Sequence, residues 1–363
     1  MSDFLVRDNR EMRARIFDFL KDPLYEPNYY MGVREQRAVT TQRVKAYMSQ
    51  RFYDIADYVE DPLRFCAGLE CPMFADFSTA VKMGVHATLC GGTIASLGNP
   101  AQKAKYLARM DTLELAGCFG MTELGHGSNV MGIRTRAEYD PATREFVITT
   151  PDDDASKYFI GGAAETAHIC CVFAQLTVAG RDQGVHVFVT PLRDASGRVL
   201  PGVRIQDNGA KMGLNGVDNG QIWFDGVRVP RDALLDKYGG VDEAGTYRSP
   251  LPSATARFGV MVGGLTTGRV LLAQGAVDAM KIGLTIALRY AFCRPQFGDA
   301  LIGDYVTHRR RLLPALAETY ALQLAMQRLK AVYKLRDMKR GKEVHLLSSG
   351  LKAAATWRRV QVL

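Results

Sequence analysis

Apolar residues recur at three- and four-residue steps through the first third of the chain. Met12, Ile16, Phe17 and Leu20 share one helical face, and Asp22-Pro23 closes that segment. The same spacing returns at Val44, Met48 and Phe52, and the apolar stretch 75–95, free of proline, predicts a buried helix. Residues 1–115 are therefore expected to form an N-terminal helical domain.

From about 116 to 235 the period changes to two. Glu145-Phe146-Val147-Ile148-Thr149-Thr150 is rich in strand formers, and Ile169-Cys170-Cys171-Val172-Phe173-Ala174 is a short apolar run. Arg181-Asp182-Gln183-Gly184 reads as a turn into Val185–Thr190, so a hairpin across Gly184 is expected. Residues 221–225 and 227–230 add further strands, and no helix-length inserts separate them. That order predicts a middle antiparallel, barrel-like domain and argues against a βαβ nucleotide fold.

Helical spacing resumes after Pro252. Ser253 or Thr255 can cap a helix running through Val262, Leu265, Val270, Val277 and Leu284, roughly ten turns long. Asp304 opens a second helix, from Tyr305 to about Lys339 with a bend expected at Pro314, and a third begins near Val344. Leu347, Leu351, Ala354 and Ala355 form an apolar stripe, and the sequence stops at Val360-Gln361-Val362-Leu363 without a stop signal, which reads as a chain cut within a helix. The expected class is α+β and multidomain: helices over 1–115, a β-domain over 116–235, and an incomplete helical bundle over 250–363.

Composition narrows the class further. With 47% hydrophobic and 23% charged residues the chain is an ordinary globular mixture. No unbroken apolar run suggests a membrane span, and Met1-Ser2-Asp3-Phe4 followed by Arg7, Arg10, Arg13 and Arg15 lacks a secretory core, so a soluble chain made in the cytosol is expected. Seven cysteines (66, 71, 90, 118, 170, 171, 293) have no paired CxxC spacing; buried thiols are expected, with no disulfide framework and no zinc. The net charge of +8 is uneven: residues 301–363 carry 13 Lys or Arg against 4 Asp or Glu, a balance of +9, leaving −1 for the rest. Arg328, Lys330, Lys334 and Arg336 read as a solvated helix face, with a docking surface for an anionic ligand or partner as the alternative; nucleic acid is not expected.

Common catalytic signatures are absent: no GxxxxGK[ST], HExxH or GxSxG, and Gly125-His126-Gly127-Ser128-Asn129-Val130 lacks the third glycine of a dinucleotide fingerprint. The six histidines show no metal spacing, and His186, between two valines, reads as structural. What stands out is four polar, glycine-rich clusters. Met121-Thr122-Glu123-Leu124-Gly125-His126-Gly127-Ser128-Asn129 gathers hydroxyls, a carboxylate and unhindered amides, suited to a planar polar ring. Tyr158-Phe159-Ile160-Gly161-Gly162 sets aromatics before a glycine pair. Lys211–Gly220 is followed by Phe224–Arg231, and Arg294-Pro295-Gln296-Phe297-Gly298 offers a guanidinium suited to a phosphate. Each alone could be an ordinary turn.

In this order and spacing the clusters resemble the acyl-CoA oxidase and acyl-CoA dehydrogenase superfamily of flavoproteins. Met121-Thr122-Glu123-x-Gly125-His126-Gly127, the Gly161-Gly162 pair, the Lys-Met-Gly-x-Asn-Gly-x-Asp-Asn-Gly run and Val-Arg-Val-Pro-Arg are more similar to peroxisomal acyl-CoA oxidases than to mitochondrial dehydrogenases. The likeness runs from about Asp22 to the end and spans the first half to two-thirds of a typical oxidase. It implies the helix–sheet–helix order already read from periodicity, with FAD between the β-domain and the C-terminal helices of a homodimer. Thr122 would bond the flavin near N5, Gly161 would contact it through backbone, and Arg294, Gln296 and Phe297 would reach the FAD of the partner subunit. Arg257 matches a family arginine near the substrate channel.

The resemblance implies oxidation of a fatty acyl-CoA to its trans-2-enoyl-CoA, electrons passing through the flavin to molecular oxygen to give hydrogen peroxide, in the peroxisome. The alternatives are a dehydrogenase passing electrons to an electron-transfer flavoprotein, or a catalytically incompetent FAD-binding, dimerising product. No catalytic residue is assigned: the family's glutamate base is expected in a segment beyond Leu363, and Glu123, Glu165 and Glu318 do not stand at the matching position.

Overall fold

The computed structural model describes residues 5–335 and 340–363; the expectations for Met1–Phe4, for Arg336 and for a helix end near Lys339 lie outside the described residues. The first elements are helical: α1 (Arg10–Phe19), α2 (Val33–Met48), α3 (Asp57–Glu60), α4 (Pro62–Glu70) and α5 (Phe77–Met83). A π-helical segment, Gly84–Gly91, then leads into α6 (Gly92–Leu97), followed by α7 (Pro100–Asp111). The start of α7 is fixed locally: Pro100 fills its first turn, and Asn99 and Gln102 form a reciprocal capping box. The predicted 75–95 helix is real but widens by a π turn between two glycine-containing joints.

Eleven strands follow among the described residues. The larger sheet contains β1 (Gly117–Gly120), β2 (Arg136–Asp140), β3 (Glu145–Thr149), β5 (Ile169–Val178), β6 (Arg181–Pro191) and β9 (Val227–Pro230). A three-stranded sheet holds β4 (Lys157–Gly161), β8 (Asn219–Phe224) and β7 (Val203–Asp207), and β10 (Gly240–Val241) pairs with β11 (Tyr247–Arg248). Strand β5 is the hub. One of its edges takes β6, while β1 pairs with Ile169–Val172 and β2 with Gln175–Thr177. Both of those shorter pairings are parallel, so the large sheet is mixed where uniform antiparallel pairing was expected.

Two turns differ from the sequence reading. The β5–β6 hairpin turns at Ala179-Gly180, both at positive φ (50° and 73°), whereas Gly184, φ +80°, sits inside β6 at a register shift opposite Leu176 and Thr177. A glycine in a bulge and a glycine in a hairpin turn leave the same mark in sequence. The long C-terminal helix is also interrupted: Ser253 caps α8 (Ala254–Gly263) by accepting a bond from the Ala256 amide, and α9 (Leu265–Ala291) begins after Gly264. Helix α10 (Val306–Tyr333) contains Pro314, and α11 (Gly341–Val362) follows.

The chain forms two compact units. One gathers Pro23–Asp61 and Ser78–Leu265. Its core lies on the inner faces of the sheets, where Phe146 meets Phe188 at 5.0 Å between ring centroids and Tyr139 packs alongside. Burying such rings supplies about 1.5–3 kcal/mol each of transfer free energy. His86 ties the π-helical segment to β1: its Nδ1 accepts from the Gly117 amide at 3.0 Å, which forces Nε2 to donate to Met110 O at 2.9 Å. Burial lowers the pKa of this imidazole to about 4, so it is neutral.

The other unit gathers Met1–Asp22, Pro62–Phe77 and Thr266–Leu363. Among its helices Glu70 Oε2 accepts from Arg13 and Lys330, each at 2.7 Å, and Arg13 also bonds Asp8. Lys330 is thus buried in an ion-pair cluster, unlike its exposed neighbours Arg328 and Lys334, and departs from the expected solvated face. The stretch Ala254–Ala291 is long and apolar enough to cross a bilayer by length and composition, although no unbroken apolar run marks it in the sequence. Its most apolar window is 56% buried inside the protein, and core packing accounts for that composition.

Candidate functional site

The topology of β5 creates the first candidate loop. The chain leaves the edge of β5 after Gly120 and returns to it at Arg136, and residues 121–135 span the gap. This loop is fastened along β4: Tyr158 N donates to Thr122 O at 3.1 Å, and Leu124 N donates to Ser156 O at 3.0 Å. Thr122 Oγ1 donates to Tyr158 O at 2.9 Å. In the chain alone the hydroxyl proton is therefore spent internally, and its rotor lets the half-buried Thr122 donate to or accept from a ligand.

Under the loop sits a buried ion pair. Lys157 Nζ, on a side chain with no exposed surface, donates to Met121 O at 3.2 Å and to Glu123 Oε1 at 3.1 Å. The same oxygen takes the Thr135 amide (2.8 Å) and hydroxyl (2.6 Å), and Oε2 takes the Arg134 amide at 2.7 Å. Burial pushes the Lys157 pKa down to about 8, against the opposing pull of Glu123. Burial would raise the Glu123 carboxyl, yet Lys157 and the Thr135 and Arg134 donors hold it below the usual carboxylate range.

The second candidate turn follows β4. A register shift between Lys157 and Ile160 throws out Phe159, which adopts φ 61° and leaves its ring 55% exposed. An aromatic residue in the left-handed region is strained, and here a bond from Asn219 Nδ2 to its carbonyl at 3.0 Å holds it. Gly161 is buried, and a Cβ there would stand 3.0 Å from Val85 Cγ2. Gly162, φ +81°, donates its amide to Asp218 O. The turn is held from both sides: Asp218 accepts from the Glu165 and Thr166 amides and from Lys82 at 2.7 Å, while Arg193 donates to the carbonyls of Ala163, Ala164 and Ala167.

The remaining predicted residues are placed differently. Arg257, on α8, is buried; Nη2 donates to Gln183 O at 2.9 Å and the guanidinium lies 5.4 Å from the Tyr247 ring centre, so its visible partners fasten α8 to the β6 bulge. Its Nε has no partner among the described residues. In the other unit Arg294, Gln296 and Phe297 are all exposed, on a hairpin closed by Ile302 N donating to Arg294 O and Gln296 N to Ala300 O. Phe297 (φ 58°) and Gly298 (φ +87°) make its tip. A cavity of about 780 Å³ lies within that unit, lined by Asp8, Arg13, Glu70, Asp278 and Lys330 among others, and by none of the predicted site residues. Six cysteines are buried and Cys293 is exposed, against the expectation of buried thiols throughout.

Residues 118–227 match the family described as acyl-CoA dehydrogenase, middle domain, and residues 262–363 match acyl-CoA oxidase, C-alpha1 domain. The chain is 42% identical over 346 residues to the peroxisomal acyl-coenzyme A oxidase 3 of Arabidopsis thaliana, covering 93% of this chain and 51% of that one. This chain is a relative of the acyl-CoA oxidases. Among solved structures, acyl-CoA oxidase 1 of Yarrowia lipolytica superposes with a TM-score of 0.88 at 33% identity, covering 99% of this chain and 56% of that one. Acyl-CoA oxidase-2 of Caenorhabditis elegans, solved with FAD, ascaroside-CoA and ATP, gives 0.81 at 29% identity, covering 97% and 55%. The chain spans about half the length of the curated acyl-CoA oxidases it matches.

In this relative of the acyl-CoA oxidases the motif residues were legible in sequence, but their supports were not. Lys157 stands directly before the quoted Tyr158-Phe159 cluster; a lysine in a strand otherwise apolar on its inner face was the available signal. Lys82 and Arg193 carried none, since each acts on a backbone turn distant in sequence.

Proposed function

We propose that the whole protein is an FAD-dependent acyl-CoA oxidase acting on fatty acyl-CoA in the peroxisome, as a homodimer. The observation that carries this reading is the Thr122 loop zipped to the Gly161-Gly162 strand within the region matching the dehydrogenase middle domain. The residues suit a flavin on chemical grounds. The rotatable Thr122 hydroxyl can turn its proton from Tyr158 O to a flavin ring acceptor, Gly127 and Gly213 have open space where a Cβ would be, and Phe159, Leu124, Met131 and Met212 expose apolar surface. Such surface favours a large planar ring and excludes water from it.

In this reading Thr122 and Gly161 hold the flavin ring, and the exposed Arg294, Gln296 and Phe297 serve the FAD of a second copy. Arg257 belongs to the substrate side, reaching it through the Nε that lacks a partner among the described residues. Bound FAD would supply a two-electron acceptor, which no side chain here offers. The overall balance is one fatty acyl-CoA and one dioxygen giving one trans-2-enoyl-CoA and one hydrogen peroxide: the α- and β-carbons each lose a C–H bond and gain a double bond between them, and oxygen takes the two electrons and two protons. The loop's task is to orient and to keep water out.

The test is direct. Purified whole protein given a fatty acyl-CoA and FAD in air is expected to release hydrogen peroxide in equal amount to enoyl-CoA. Enoyl-CoA formed only when an electron-transfer flavoprotein is supplied would instead make it a dehydrogenase.

A further inference from the structure

The geometry beneath the Thr122 loop points to a positioning device: we propose that the buried Lys157–Glu123 pair sets the Thr122 turn for its ligand. The inference rests on the flavin-site reading above. Lys157 grips the residues on both sides of Thr122, the Met121 carbonyl and the Glu123 carboxylate, at 3.2 and 3.1 Å. The residues on either side of Lys157 supply two backbone bonds to the same loop, from Tyr158 N to Thr122 O and from Leu124 N to Ser156 O. One ammonium thus fixes the segment from which the Thr122 side chain projects.

The pair is an expensive way to fill space. Glu123 is 2% exposed and Lys157 has no exposure at all, and desolvating two charges is compensated only by complete hydrogen bonding. Glu123 approaches completeness, with donors from Thr135, Arg134 and Lys157; His126 Nδ1 lies 3.2 Å from Oε2 without hydrogen-bond geometry. An apolar pair of similar volume would pack as well but would leave Met121 O without this donor and the loop held along β4 by its two main-chain bonds alone. Positional definition of the loop is what the charges add.

The experiment uses Lys157→Met, Glu123→Gln and the double variant, which removes both charges and so leaves no unpaired buried ion. In flavin-free protein, hydrogen exchange at the Leu124 and Tyr158 amides is expected to accelerate about tenfold or more, with the remaining β-sheet amides unchanged. With FAD added, affinity is expected to fall about tenfold and the absorption spectrum of the bound flavin to shift, including in a double variant that melts at the wild-type temperature. Unchanged exchange at those two amides in a folded variant overturns the proposal, as does faster exchange with unaltered flavin affinity and spectrum. If the wild-type chain takes up no FAD, the flavin reading falls and the role of the pair with it; if the wild type binds and the variants match it, the pair alone is refuted.

Discussion

Replacing Thr122 by valine keeps the shape of the side chain and removes one oxygen. In the protein alone, the loss is the 2.9 Å bond from Oγ1 to Tyr158 O, a neutral and half-buried contact. Such a bond contributes about 0.5–1.5 kcal/mol, which for a folding unit of this size lowers Tm by roughly 1–6 °C. The two main-chain bonds alongside, at 3.1 and 3.0 Å, survive, so the loop should stay in place. On the flavin reading a second loss adds to the first. The bond that the Thr122 hydroxyl makes to the flavin edge disappears in a site screened from water, at a cost of about 1–3 kcal/mol, or roughly 5- to 150-fold in FAD affinity. The assay pairs thermal melting of flavin-free protein with FAD titration, absorption spectrum and redox potential of the bound flavin. Thr122→Ser, which keeps the hydroxyl, should restore the flavin properties. A drop in Tm with unaltered flavin affinity, spectrum and potential would refute the reasoning and leave Thr122 as a loop tie.

Asp218→Asn should destabilise the protein by about 3–5 kcal/mol in urea unfolding, because it leaves Lys82 buried without its charged 2.7 Å partner; a Lys82→Met, Asp218→Asn double variant, which keeps an acceptor for the Glu165 and Thr166 amides, should recover part of that loss. His86 and His186 are both held near pKa 4 by burial, below the ordinary value of 6.5. Because the unfolded chain binds these protons first, the stability they contribute is fully present above about pH 6.5 and is lost as pH falls toward 4, about 3 kcal/mol for each; urea melts at pH 7.5 and 5 should show the slope, and His86→Asn should flatten about half of it. Gly117→Ala should cost about 1–3 kcal/mol by melting, since its Cβ would stand 2.5 Å from Cys90 Sγ against a buried strand.

The order of elements was legible because periodicity changes twice, near residue 116 and again after Pro252, and burial follows period. Ser253 as a cap was legible for the same local reason. Finer features were set by contacts that sequence does not expose. Gly180 and Gly184 are alike in composition and differ only in what lies opposite them, a turn in one case and Leu176 and Thr177 in the other. Parallel pairing of β1 and β2 with one edge of β5 required knowing that β5 is long enough to serve both. Lys330 sits among basic neighbours in sequence, and only the approach of Glu70 and Asp8 turns it into a buried ion-pair member with a raised pKa despite burial. At the candidate site the motif residues were found and the charges behind them were missed, since Lys157 acts on Met121 and Glu123 from another strand.

The three glutamates weighed against the family base can now be judged on geometry. A base for an α-proton needs a carboxylate oxygen open to substrate and a pKa near the working pH. Glu123 has neither: its oxygens take four donors and its pKa is held low. Glu165 is bound to Arg37, whose guanidinium also grips Asp207, and its amide is committed to Asp218. Glu318 lies on α10 in the other unit, 3.6 Å from Arg358. Two of these side chains are spent on fastening loops, and fastening is what a cofactor cradle requires, because a group that orients a ring must itself be immobile. On the proposed reading these turns hold the ligand, and proton abstraction in the proposed reaction falls to a carboxylate other than these three.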